Sequence, residues 1–316
     1  AVAYFRIYML GMFFSVIFHS AVSILRGLGD ATTQLYFLIP ANILNMVLSY
    51  IFLGIIGWKI EASAWASFIS QFVAFASLFL FLRKKHEFVH LPSLKHLYFN
   101  KVYLKKIINI GIPTGLQQSI VSLTQILILS LVTSFGTDAI AGYSTAVRVE
   151  SIALILVLNF GQALTSFVGT NIGANNIARA KQGLKVSIKL MATISLFIFF
   201  IFYFLDKELI RLFTTETKVI QIGGEYLVVD AIFWFLFATM MMFTSYFRGV
   251  GYAFVTLVIS FITLLLVRFP LSMFLSSKFD ILGIWLGAPF AWLLAIIIYI
   301  FCFKFLKINF SKLIKE

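Results

Sequence analysis

Nine long apolar stretches order this chain, at approximately 4–25, 33–56, 61–82, 108–134, 140–169, 184–205, 227–247, 253–275 and 282–305. Each is long enough to cross about 30 Å of hydrocarbon as an α-helix. Glycines, singly or in pairs, mark the connections: Gly27 and Gly29, Gly54 and Gly57, Gly136, Gly173, Gly223-Gly224, Gly249 and Gly251, and Gly283. The one long connection, about 83–107, is basic and contains Pro92, so it divides the chain into two parts.

A four-residue pattern occurs twice. Arg26-Gly27-Leu28-Gly29 returns as Arg248-Gly249-Val250-Gly251, and the same offset of 222 superposes Tyr4 on Tyr226, Phe13 on Phe235 and Ser23 on Ser245. Each copy ends one apolar stretch and precedes two more, which is the mark of an internal repeat. The first three stretches therefore match the last three. An even separation of six keeps both copies in one orientation, as in a parallel repeat about an axis along the membrane normal. The fold expected is an all-α integral membrane protein, a two-lobe parallel repeat of six-helix bundles in which nine of twelve transmembrane helices are present. On this reading residues 1–84 form the second half of the N-terminal lobe, 85–107 a cytoplasmic inter-lobe linker, 108–306 a complete C-terminal lobe and 307–316 a cytoplasmic tail. Three helices are expected to precede Ala1, and the nine-helix chain alone is not expected to transport.

Composition supports a membrane protein. Hydrophobic residues make up 61% and charged residues 12%, against roughly 25% charged in an ordinary soluble domain. The net charge of +13 would suit nucleic acid if it formed one face, but it lies mostly between the stretches. One set of connections and the tail carries seventeen Lys and Arg, the opposite set five. The richer side is the cytoplasmic one, so the C-terminus is expected inside and the first helix starts outside. The location expected is the plasma membrane, inner membrane in a bacterium, with the lipid bilayer as partner, no nucleic acid and a monomeric state. Cys302 is the single cysteine and leaves no intrachain disulfide to consider.

Polar side chains inside a span need a partner or a cavity. Asn42, Asn45 and Ser49 lie in the second stretch, the last two four apart on one helix face. Ser67 and Gln71 form a similar pair in the third. Gln117, Gln118, Thr124 and Gln125 supply neutral donors and acceptors in the fourth. Glu150 is the deepest acidic residue and the leading candidate for ion coupling, or else the structural partner of an arginine on another helix. Arg148, two positions away, falls on a different face. Asn159 and Gln162, with Gly161, would line a cavity or kink a long helix. His19 reads as a packing residue, and Asp230 is placed near the outer end of its helix. Arg26, Gly27, Gly29, Arg248, Gly249 and Gly251 read as structural turns, not as ligands.

The ordered set of short motifs resembles the multidrug and toxic compound extrusion family. It comprises Tyr4-Phe5-Arg6-Ile7, Leu25-Arg26-Gly27-Leu28-Gly29-Asp30, Ala64 to Gln71, Gly111-Ile112-Pro113, Phe135-Gly136, Ala141-Gly142-Tyr143, Val168 to Ala174, Arg179-Ala180 and Arg268-Phe269-Pro270. The resemblance implies a secondary active antiporter that exports cationic or amphipathic compounds in exchange for Na+ or H+ by alternating access, with no cofactor, no metal site and no enzymatic activity. It also implies that Asn45 belongs to a first-lobe cation and proton site. Ser49 stands where that pattern has aspartate, which removes a titratable group there. Acidic positions that some members use on the fourth and seventh helices of this chain do not reappear.

Two other functions fit the residues less well. A lipid-linked oligosaccharide flippase of the same superfamily calls for several cavity cations, and the only arginines within the spans are Arg6, Arg148 and Arg268. The connection also contains His86-Glu87-Phe88-Val89-His90, followed by His96, a zinc-protease spacing. That chemistry needs both histidines on one intact helix, and Pro92 and Ser93 stand against it.

Overall fold

The computed structural model describes residues 2–30, 32–58, 61–84 and 100–305, and the described part is helical with no strand. His86, Glu87, His90, Pro92, Ser93, His96 and the tail after Phe305 lie outside the described residues. The helices are α1 Val2–Gly27, α2 Thr33–Tyr50 continued by a π-helical run Ile51–Ile55, α3 Glu61–Lys84, α4 Lys101–Thr133, α5 Thr137–Gly173, α6 Ile177–Phe204, α7 Asp206–Arg211, α8 Thr217–Val250, α9 Ala253–Ser260 with a second π-helical run Phe261–Arg268, and α10 Phe269–Phe305. Among the described residues, eight helical stretches are long and apolar enough to cross a membrane. This is a multi-pass, all-α membrane protein.

The eighth stretch, Ala253–Phe305, would run about 80 Å as one straight helix, more than twice the hydrocarbon thickness. It turns back on itself instead. Phe279 (φ −125°, ψ 18°) and Asp280 (φ 51°, ψ −141°) leave the helical region. Beyond them the Ser272 hydroxyl donates to the Ile284 carbonyl at 3.1 Å. Gly283 is required at this fold-back, because a Cβ there would stand 2.3 Å from the Leu275 carbonyl.

The helix ends differ from the hydropathic expectation. Hydropathy places the fourth, sixth and seventh helices at 108–134, 184–205 and 227–247, yet α4, α6 and α8 start at Lys101, Ile177 and Thr217. Lysine, glutamine and glutamate continue a helix at little cost while lowering hydropathy, so apolar runs understate helix length. Short α7, too small for a hydropathy window, was not anticipated.

The chain divides into two compact units, Ala1–Asn100 and Lys101–Glu316. In the first, α3 packs against α1 and α2. Its core is Phe18, Val22 and Leu25 of α1 with Ala74, Leu78 and Leu82 of α3 and Ala41 of α2. In the second, α8 is the central helix, packed on α5, α6, α7 and α10. Trp234, Tyr246 and Phe247 of α8 are almost fully buried. Small residues bring α5 and α8 together, as they do where lipid offers no hydrophobic drive. A Cβ on Gly161 would stand 2.6 Å from the Ser245 hydroxyl. Gly161 is thus a contact glycine rather than a kink.

The repeated turn is one structure made twice. Gly29 and Gly251 are left-handed, at φ 90° and 95°. In the first copy Gly29 N–H donates to the Arg26 carbonyl at 3.0 Å and Asp30 N–H to Leu25 at 3.0 Å. In the second, Gly251 donates to Arg248 at 2.9 Å and Tyr252 to Phe247 at 2.9 Å. This pair of bonds is the Schellman helix end, which satisfies terminal carbonyls through a left-handed glycine.

Candidate functional site

In the first unit, α1, α2 and α3 border an open pocket of about 80 Å³ whose polar lining includes Ser15, Asn42, Asn45, Ser70 and Gln71. The Asn45 amide donates to the Ser67 hydroxyl at 3.3 Å, which ties α2 to α3. The Ser70 hydroxyl is spent on the Ala66 carbonyl at 2.7 Å. Gln71 Oε1 is buried without a hydrogen-bond partner. Four of the residues singled out in this unit, Asn42, Asn45, Ser67 and Gln71, thus gather at one place. Ser49 does not line the pocket. His19 is exposed on α1 and not packed in a core; it borders an open groove of about 420 Å³ with Met12, Ser15 and Ser23.

The second unit holds the more concentrated chemistry. About 20 Å of helix precedes Glu150 in α5, and the same length precedes Asp230 in α8. The two acids are therefore equally deep along their helices. Asp230 is 5% exposed, not at the outer end as expected, because α8 begins ten residues before the hydropathic boundary. The Tyr226 hydroxyl donates to Glu150 Oε2 at 2.6 Å, and Tyr226 precedes Asp230 by one helical turn. The guanidinium of Arg268, at the end of the second π-helical run, acts electrostatically on both carboxylates. Asp230 Oδ2 and Arg268 Nε are buried without hydrogen-bond partners. Native structures keep few such atoms, and each calls for a reason.

An aromatic wall borders these acids. Tyr143 stacks on Trp285 with ring centroids 5.3 Å apart, and Tyr226 meets both rings edge-on at 5.4 and 5.0 Å. Two carboxylates and two phenols beside an apolar core, with one guanidinium in electrostatic reach, leave more acidic oxygen than basic nitrogen, a balance suited to taking up a proton or a hard monovalent cation. No group of three or more His, Cys, Asp or Glu suited to a metal occurs among the described residues. Of this cluster the sequence reading selected only Glu150. It missed Tyr226 and Asp230, although their i, i+4 spacing puts them on one face. Arg148 is exposed, on a different face from Glu150.

The remaining candidates stand apart. Gln118 and Gln125 lie on the exposed face of α4, whereas Gln117 and Thr124 are buried. Gln117 Oε1 accepts from Arg248 Nη2 at 2.7 Å and from the Thr256 hydroxyl at 3.0 Å, while its amide donates to Ser260 Oγ at 2.6 Å. In the first unit Arg26 Nε donates to Gln34 Oε1 at 3.0 Å, and Gln34 is the repeat position of Thr256. Asn159 is exposed and donates to the Ile155 carbonyl of its own helix at 2.8 Å. Gln162 is also exposed.

Residues 113–274 match the family model described as MatE. The probable multidrug resistance protein YoeA of Bacillus subtilis (strain 168) is 29% identical over 303 residues, covering 93% of this chain and 65% of that protein. The probable multidrug resistance protein YpnP of the same organism is 27% identical over 294 residues, with the same two coverages. The chain thus spans about 65% of the length of these curated relatives. A crystal structure of MATE in the bent conformation superposes with a TM-score of 0.90 at 22% identity, covering 100% of this chain and 70% of that one. That likeness concerns the fold.

Proposed function

This chain belongs to the MatE family, and we propose on that premise that it works within a secondary active exporter of cationic or amphipathic small molecules, exchanged for Na+ or H+. The observation that carries the reading is the set of two acids at one depth, the buried Asp230 and the half-buried Glu150, with Tyr226 donating to Glu150. A carboxylate at this depth costs several kcal/mol unless it is paired or neutralised. Binding a cation or a proton neutralises it. Sites of this kind change affinity when the helices that carry them move, which is what coupling requires.

The first-unit pocket, with Asn45, Ser67 and Gln71, offers neutral polar groups of the kind that bind a cation weakly. The amphipathic substrate class is supported by the names of the two Bacillus relatives, both called multidrug resistance proteins. The lysine and arginine bias supports a plasma-membrane protein with its C-terminus on the cytoplasmic side. The test is export of a fluorescent organic cation from cells that express the full-length protein. Efflux should stop when the sodium and proton gradients are dissipated together, and dissipating them one at a time identifies the ion. Efflux that persists with both gradients gone overturns the antiport reading.

A further inference from the structure

Helix α6 has two unlike faces. Ala180, Leu184, Met191, Ile198 and Phe202 are buried in the core of the second unit. The opposite face is exposed and runs Lys185, Lys189, Thr193, Phe197, Phe200, Phe204. Phe197 and Phe204 are each 65% exposed, so in a membrane protein this stripe faces lipid. The two lysines continue it without a break.

Depth makes the lysines unusual. The apolar part of α6 ends at Phe204, and α7 follows with Asp206, Lys207 and Glu208. Counting back about 30 Å of hydrocarbon, or about 20 residues, reaches Lys185 at the boundary and puts Lys189 one turn inside. Any tilt of the helix moves both deeper. Cβ atoms tilt toward a helix's N-terminus, so both side chains lean back to the near membrane surface. There the ammonium groups arrive at the level of lipid phosphates.

No carboxylate among the described residues is paired with either lysine. In this unit Asp138, Asp206, Glu208, Glu216, Glu225 and Asp280 sit at the opposite helix ends, and Glu150 and Asp230 are midway. Lys181, one turn further out, already rests over the Phe303 ring at 5.7 Å, and Arg179 over Phe167 at 5.7 Å. The two free ammonium groups therefore remain for an anion that comes from the bilayer.

We propose that Lys185 and Lys189 form a binding site for the phosphate of an anionic phospholipid, whose acyl chains lie along Thr193, Phe197 and Phe200. The site fits lipid better than a soluble phosphate, because the stripe supplies chain contact on one side and charge on the other. It stands independently of the transported substrate.

The experiment follows thermal unfolding of the detergent-purified protein during titration with phosphatidylglycerol, phosphatidylcholine or inorganic phosphate. Phosphatidylglycerol should raise the midpoint, and the other two should not. Two surface lysines near the membrane together contribute roughly tenfold or more in affinity. The Lys185→Gln/Lys189→Gln variant should need at least that much more phosphatidylglycerol for the same rise. Lys185→Arg/Lys189→Arg should keep the effect, as should the control Lys105→Gln/Lys106→Gln, altered at the start of α4. An undiminished response in the first variant overturns the proposal. So does an equal response to phosphatidylcholine, which means no charge recognition, or to inorganic phosphate, which means a soluble-anion site. If the Gln variant does not fold, loss of the preference in Lys189→Gln alone tests the same point.

Discussion

The Tyr226 hydroxyl donates to Glu150 Oε2 at 2.6 Å and so joins α8 to α5 at the depth of Asp230. A hydrogen bond to a charged acceptor contributes about 1.5–3 kcal/mol, and more is lost when the acceptor is left buried and unpaired. Tyr226→Phe keeps the ring and its contacts with Tyr143 and Trp285 but removes the donor. Unfolding in detergent should show a loss of about 1–3 kcal/mol, and ion-driven efflux should slow at least fivefold. An unchanged unfolding midpoint would mean that this bond is not formed in the membrane-embedded protein.

The acids and Arg268 form a charge set that can be taken apart one group at a time. Either Glu150→Gln or Asp230→Asn leaves one carboxylate to face the guanidinium, so each single variant should fold and lose coupled transport. The double variant leaves the half-buried Arg268 without either opposing carboxylate, at a cost of about 1–3 kcal/mol. It should express poorly, and Arg268→Met added to it should restore the yield without restoring transport. Folded yield after detergent extraction reads the first effect and efflux the second. If Glu150→Gln transports normally, Glu150 is a structural group only.

Much of this fold is legible in the residue pattern because bilayer thickness sets helix length, and the Arg-Gly-x-Gly copies mark equivalent turns. The site is less legible for reasons that particular residues expose. Hydropathy stops at the polar residues between Thr217 and Glu225, yet α8 runs through them and carries Asp230 inward. Gln117 and Gln118 are one residue, or about 100° of helix rotation, apart, yet only Gln117 is buried. The apolar content of α4 spreads around the helix and gives no face to choose. The π-helical run Phe261–Arg268 has no signal in composition, and such runs often mark functional sites.

Gln117 offers a sharper test of the second turn. Its carbonyl oxygen receives Arg248 and Thr256 together, and no carboxylate among the described residues pairs with Arg248. Gln117→Leu leaves a mostly buried guanidinium without its acceptor and should lower stability by about 2–4 kcal/mol. Gln117→Glu keeps the acceptor and adds the opposite charge, so its stability should equal or exceed that of the unaltered protein. The order Glu, Gln, Leu in unfolding midpoint is the expected result. Equal midpoints for Gln and Leu would place the hold on Arg248 elsewhere.

The two turns also predict which glycines can be replaced. Gly29 and Gly251 have left-handed backbones and open space around the missing Cβ. Alanine at either position meets only the intrinsic penalty of that conformation, about 1–2 kcal/mol. Asparagine, which tolerates the left-handed region, should cost less than alanine at both. Gly249 is different: a Cβ there would stand 2.7 Å from the Thr165 carbonyl oxygen and 2.8 Å from Val168. Its backbone is helical, so asparagine has no advantage, and every larger side chain forces α8 away from α5. Gly249→Ala should cost about 1–3 kcal/mol, with Gly249→Asn worse than Gly249→Ala. Unfolding midpoints for the six Ala and Asn variants separate the two mechanisms by rank alone. Asparagine should be the milder change at Gly29 and Gly251 and the harsher one at Gly249, and the same rank at all three would mean that α5 and α8 do not approach as closely as the Gly161–Ser245 contact implies.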